Sequence, residues 1–277
     1  VAVISCKKSD DDATPQNVTV DFNFTHNWDG DAITNADFDV IQYTNAHGEN
    51  LSLSKLVYLI SDVTFTNANG EVFDAGDYTL VNVREGSNLT FTPQIEIPEG
   101  TYTVSFTFGF DNEDNDQNYQ DLNSADGGWN VPTNLGGGYH YMRMEGKYID
   151  ASSPDETNYQ YHTIRAVDLD DQGIISTLTD TSFEVSLGQV TIGNTTSIEV
   201  KMNVAEWFKN PNTWDLTQLY TMLMPNYNYF SILFYRQITP NLVQTAIVPK
   251  MGLVMLGNSV LELQEKPEIE TPCHFKT

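Results

Sequence analysis

Positive charge is scarce in this chain of 277 residues: 13 Lys and Arg stand against 38 Asp and Glu, a formal charge of −25. Such a surface would repel a polyanion over most of its area, which excludes nucleic acid as a partner. Cysteine is scarcer, with only Cys6 and Cys273, so zinc sites built from three or four thiolates are ruled out by count. Long apolar runs are missing too. Nothing approaches the ~18 consecutive apolar residues of a membrane-spanning helix, which limits membrane contact to an anchor. Dinucleotide fingerprints, phosphate loops and hydrolase elbows do not occur, and no carboxylate pair stands out, so no enzymatic chemistry is expected.

What the chain has in abundance is period-two alternation broken by Gly, Asn and Asp. Val18, Val20, Phe22, Phe24 and His26 share one face of a run over 18–26. Tyr102, Val104, Phe106 and Phe108 do the same over 101–108. Further strands are expected over 55–66, 78–83, 88–97, 139–149, 159–167, 181–189 and 197–204. Many short strands with frequent turns predict an all-β, antiparallel β-sandwich. The helical signal is confined to 204–223, where Pro211 leaves a short turn and a C-terminal helix starting near Asp215. Three parts are expected: residues 1–17 as signal-peptide remnant and tether, 18–234 as the β domain, and 235–277 as an atypical tail.

At the start, Val1 to Ser5 reads as the end of a signal peptide's apolar region, and Ser5–Cys6 has the form of a bacterial lipobox. Cys6 would carry lipid, with the acidic run behind it serving as a flexible tether. A Cys followed by Lys, Ser and an Asp run also resembles the export signal of Bacteroidetes surface lipoproteins. These features predict an outer-membrane lipoprotein facing outward.

Residues 111–138 carry few apolar side chains and are rich in Asp, Asn and Gly. Their oxygens suit calcium, yet the spacing matches no EF-hand loop, and a solvated loop is expected.

Of five histidines, His26 ends an alternating apolar face and should point inward. On a strand, His140, Met142 and Met144 would share one face, an imidazole with two thioethers. Soft donors of this kind suit Cu(I) better than zinc, calcium or magnesium. His162 lies on the next strand after a polar turn at 150–157. Pairing around that turn would bring it nearer Met144 than His140, so the two imidazoles meet only through a bulge or another pairing. Met on an inward face also serves as core filler, and a buried His often satisfies a single hydrogen bond.

Segments in order along 18–226 resemble the MbnP-like copper-binding protein family. They are Tyr43-Thr-Asn-Ala-His-Gly-Glu-Asn with Leu56-Val-Tyr-Leu-Ile-Ser, Gly109-Phe-Asp-Asn, Gly137-Gly-Tyr-His-Tyr-Met-Arg-Met-Glu-Gly-Lys-Tyr, Tyr161-His-Thr and Trp207-Phe-Lys-Asn-Pro. The resemblance implies a secreted β-sandwich that holds copper, in some members beside a Trp oxidised to kynurenine by a partner di-haem peroxidase. It places His140 and His162 on the family's His-bearing motifs and matches His26 to the first strand. Trp129 is the Trp nearest His140 in sequence. His47, beside Gly48, is expected to be an exposed turn residue. The expected metal set is therefore His26, His140, His162, Met142 and Met144 around copper, with a di-haem peroxidase or an outer-membrane transporter as partner protein. The rival is a metal-free lipoprotein binding glycans through exposed Trp28, Trp129 and Tyr141.

Overall fold

Alternation is realised directly in the first long strand, β1 (Asp21–Trp28), where Phe22, Phe24, His26 and Trp28 are buried and the residues between them face outward. The computed structural model describes residues 15–209 and 213–218, and beyond them the strands Ser231–Thr239, Ile247–Met251, Met255–Leu256 and Ser259–Val260. The principal strands after β1 are β2 (Lys55–Asn67), β3 (Tyr78–Asn82), β4 (Gly100–Phe108), β5 (Met142–Asp150), β6 (Ser153–Thr163), β7 (Phe183–Ile192) and β8 (Ser197–Asn203).

Two sheets form the sandwich. In the larger, β7, β4, β2 and β5 lie in that order, with β6 also on β5 and β3 also on β2. In the smaller, β1 lies beside β8, which pairs on its far side with Ser231–Thr239. Aromatic rings bridge the layers. Phe24 meets Tyr58 at 6.1 Å and Phe106 at 6.4 Å, both edge-on, and Phe22 meets Phe65 at 6.1 Å. Each such pair contributes about 1 kcal/mol beyond the area it buries. Phe106 and Phe108 are fully buried, as the alternation requires.

Among the described strands, one pair departs from the antiparallel scheme. β1 and β8 run parallel, Ser197 opposite Asp21 through Asn203 opposite Asn27. The chain between them builds the whole larger sheet, a crossover long enough for parallel partners. The strand expected over 88–97 survives only as Thr90–Phe91 and Ile97–Pro98, with Pro93, which cannot donate to a ladder, in the gap between them. At the other end, Val204–Phe208 is a 3-10 turn whose cap, the Asn203 side chain, accepts from the Ala205 N–H. Residues 216–218 form a turn, and the rest of the helix expected from Asp215 lies outside the described residues. So do Cys6, Cys273 and His274.

The segment between β4 and β5 is not a solvated loop. It opens with a single helical turn, Asn112–Asn115, capped by Asp111, and then folds back over the larger sheet. Buried Asn115 is its clasp: Oδ1 accepts from the Tyr139 N–H at 2.7 Å, and Nδ2 donates to the Tyr141 hydroxyl at 3.1 Å. A Cβ at Gly138 would collide with Asn115, so the tight approach needs glycine. Leu122, Trp129 and Val131 are carried inward by this fold-back.

Candidate metal centre

β5 carries two chemically distinct faces. Met142, Met144, Gly146 and Tyr148 point into the sandwich, while Arg143 and Glu145 lie on the outer face beneath the 111–138 excursion. Before Met142 the chain is not yet in a strand, so alternation does not extend back to His140. His140 instead follows the excursion, its N–H donating to the Trp129 carbonyl at 3.1 Å. This puts the His140 ring on the outer side, away from Met142 and Met144.

His162 reaches the same place from β6. The β5–β6 turn is tighter than expected, with Asp150 opposite Ser153, and the register sets His162 opposite Arg143. Cross-strand partners share a face, so His162 stands with Arg143 and Glu145. The ring centroids of His140 and His162 lie 5.3 Å apart, nearly perpendicular at 86°. Two metal–nitrogen bonds of about 2.0–2.1 Å fit within that separation.

Hydrogen bonds select which nitrogens are free. His140 Nδ1 lies 3.0 Å from the Trp129 carbonyl and 3.1 Å from Arg143 Nη2. The Trp129 carbonyl can only accept, so the tautomer that satisfies this contact has Nδ1–H donating to it, while Arg143 Nη2 donates to the Gly128 carbonyl at 2.6 Å. The lone pair is then on Nε2. His162 Nε2 lies 2.9 Å from Glu145 Oε1, so Nε2–H donates to the carboxylate and Nδ1 keeps the lone pair. A ring held by a carbonyl or carboxylate at one nitrogen and open at the other is the usual arrangement of a histidine that ligates metal.

The electrostatics keep one donor neutral. Burial, with the Arg143 guanidinium beside it, pushes His140 down to about 3. The hydrogen bond from His162 holds the Glu145 carboxyl below its ordinary range, although burial opposes this. Arg143 packs 4.7 Å over the Trp129 ring and bonds to the Asp126 carbonyl at 3.3 Å. Lys55 meets Asp126 at 2.7 Å, which ties the excursion to β2 as well. The Trp129 ring lies 5.7 Å from His140.

The remaining candidates lie elsewhere. His26 is buried inside the sandwich, its Nε2 2.9 Å from the Tyr58 hydroxyl. Tyr58 pairs with Met142 and shares its inward face, so His26 and the His140–His162 pair are on opposite sides of the larger sheet. Met142 and Met144 are wholly buried members of the core. Trp28, Trp129 and Tyr141 are buried as well, which leaves none of them to stack on a glycan at the surface. Glu145 and Arg143 were not singled out by sequence reasoning. Their signal was present in the alternation, which puts residues 143 and 145 on one face.

A family model for MbnP matches residues 17–225. The chain belongs to the MbnP family. The match begins four residues before β1 and runs past β8, so it takes in both sheets, the excursion and both histidines of the pair. Among solved structures, MbnP from Methylosinus trichosporium is similar at 11% identity and a TM-score of 0.46, covering 74% of this chain and 80% of that one. A search of the curated proteins returned no match.

Proposed function

We propose that this MbnP-family protein binds a copper ion between His140 and His162 and serves in copper acquisition or handling, without catalysis. Family membership supports a copper-related role. The observation that carries the ligand assignment is the convergence of two imidazoles at 5.3 Å, each anchored at one nitrogen and open at the other. Two imidazole donors fit a Cu(I) ion, which accepts few ligands and needs no carboxylate charge. Glu145 and the Trp129 carbonyl would orient the rings, and Arg143 would fix the wall above them. A crystal grown with copper tests the placement: an anomalous peak between the two rings supports it, and a peak beside His26 or Met144 refutes it.

The reading includes anchoring through lipid on Cys6, at the outer membrane and facing outward. Labelling with a fatty-acid analogue should disappear in Cys6→Ala, and persistent labelling would count against the anchor. A di-haem peroxidase or an outer-membrane transporter is the proposed partner protein, to be sought by cross-linking in cells. Trp129, beside His140, is the tryptophan that a kynurenine modification would use, and intact-mass measurement of the native protein reports on it.

A further inference from the structure

At the opposite end of β5, a second group of donors converges. The strands Tyr43–Thr44 and Asn50–Leu51 form a hairpin whose Leu51 pairs with Tyr148. The step along β5 from Arg143, the partner of His162, to Tyr148 is five residues, about 17 Å at the rise of a strand. The hairpin loop carries His47 and Glu49. Asn45 braces it, its Oδ1 accepting from the Gly48 and Glu49 N–H groups at 2.9 Å. The Asn45 amide also donates to the Trp214 carbonyl at 3.4 Å, which brings Asp215 to the loop from a segment far away in sequence.

One donor atom each from His47, Glu49 and Asp215 lie within 4.8 Å of one another. His47 Nδ1 is 2.7 Å from Glu49 Oε1, the distance of a hydrogen bond. On the other side of the ring, Nε2 is 3.6 Å from Asp215 Oδ2. That is too long for a hydrogen bond and close to the ~3.3–3.4 Å edge of a tetrahedron with bonds of ~2.0–2.1 Å. The other oxygen, Asp215 Oδ1, is occupied by Thr217, whose N–H and hydroxyl donate at 2.9 and 2.6 Å, so Oδ2 is the one left for a ligand.

The second observation is at Glu49. This side chain is only 3% exposed, and its Oε2 is buried without a hydrogen-bond partner. A buried carboxylate oxygen with nothing to accept is unfavourable, and an ion pair through Oε1 does not relieve it. A cation held by the cluster would. His47 and Asp215 remain partly exposed, so the ion has a way in.

We propose that His47, Glu49 and Asp215 form a second metal site, distinct from the histidine pair, that takes a divalent cation of the zinc type. One imidazole with two carboxylates is a donor set for Zn(II), with water completing the tetrahedron, and is too hard and too anionic for Cu(I). Asp150, whose charge also acts on His47, adds to the attraction.

The test is calorimetric titration of the full chain with zinc chloride at about pH 8, where proton competition for the imidazole is reduced, with calcium chloride run in parallel. Wild type, His140→Ala/His162→Ala, His47→Gln, Asp215→Asn and Glu49→Gln are compared. The proposal expects one zinc site retained in the His140/His162 double variant and weakened more than about tenfold in each of the others, with calcium much weaker throughout. His47→Gln and Asp215→Asn change partly exposed side chains, so they remain informative if Glu49→Gln fails to fold. Zinc should also raise the melting temperature of wild type and not of His47→Gln. Equal zinc affinity in wild type, His47→Gln and Asp215→Asn would mean that the cluster is an ion pair only, and would overturn the site. Loss of zinc with the His140/His162 pair would place the ion there instead. Because the copper reading rests on other residues, either site can fail alone.

Discussion

The Glu145 carboxylate accepts from the His162 imidazole at 2.9 Å, on the outer face of β5 and diagonally across the pairing that sets His162 opposite Arg143. This bond leaves Nδ1 as the His162 nitrogen open to the proposed copper ion. Glu145→Gln lets the ring rotate and exchange tautomers, and weakens the basicity of the ligand. Copper affinity should fall by about 10–100-fold while the melting temperature changes little, since Glu145 is on the outer face. Unchanged affinity, measured by competition with a chelator, would show that Glu145 does not position His162.

A second consequence concerns acid stability and involves His26. Burial alone pushes His26 down to about 3, against 6.5 for the free side chain. The folded state holds the neutral ring, and the unfolded state takes up a proton first as pH falls. Stability is therefore full above ~6.5 and declines toward ~3, by about 2 kcal/mol at pH 5 from this residue alone. Urea midpoints at pH 7 and 5 should show that loss in wild type and much less of it in His26→Phe. That variant starts from lower stability, because the Tyr58 hydroxyl loses its partner.

Packing at the centre of β5 is tight enough to be tested by one methyl group. A Cβ at Gly146 would run into the Ser52 carbonyl and come within 2.7 Å of the Tyr159 ring, which is itself fixed by its hydroxyl bond to Ser52. Backbone cannot yield as a flexible side chain can. Gly146→Ala should cost about 3 kcal/mol or more, read as a lowered denaturation midpoint.

Arg143 is one link between sheet and excursion, through the Gly128 and Asp126 carbonyls and the Trp129 ring. Arg143→Gln keeps little of this. Limited proteolysis should then cut between 111 and 138 faster than in wild type, and copper affinity should drop because the Trp129 carbonyl no longer holds His140. A lysine at 143 should restore little, since it has neither the planar stack nor the fork of donors.

Most of the sandwich was legible because it depends on local alternation. Phe22, Phe24 and His26 in β1 and Tyr102, Val104, Phe106 and Phe108 in β4 point inward as the pattern requires. Alternation misled at His140, because it was extended through residues 139–141, which are not in a strand. The register does set His162 one residue from Met144, opposite Arg143, and the two imidazoles meet because His140 leaves the strand and turns to the outer face. Where β5 begins depends on tertiary contacts such as Asn115 with Tyr139, which local alternation does not report. The 111–138 excursion looked polar because its few apolar residues are widely spaced, yet Leu122, Trp129 and Val131 are buried and Asn115 clasps it to Tyr139 and Tyr141. His47, Glu49 and Asp215 could not be grouped from sequence, since Asp215 arrives through the Trp214 contact with Asn45.

Cu(I) competition with a chelator under reducing conditions, on wild type, His140→Ala, His162→Ala and Met142→Ala, tests the central claim most directly. The two-histidine site predicts that each His variant loses more than about a hundredfold in affinity. Met142→Ala should bind nearly as wild type does, because its thioether faces the core. The contrary result, with Met142→Ala losing as much as the His variants or both His variants binding like wild type, would place the copper away from the pair.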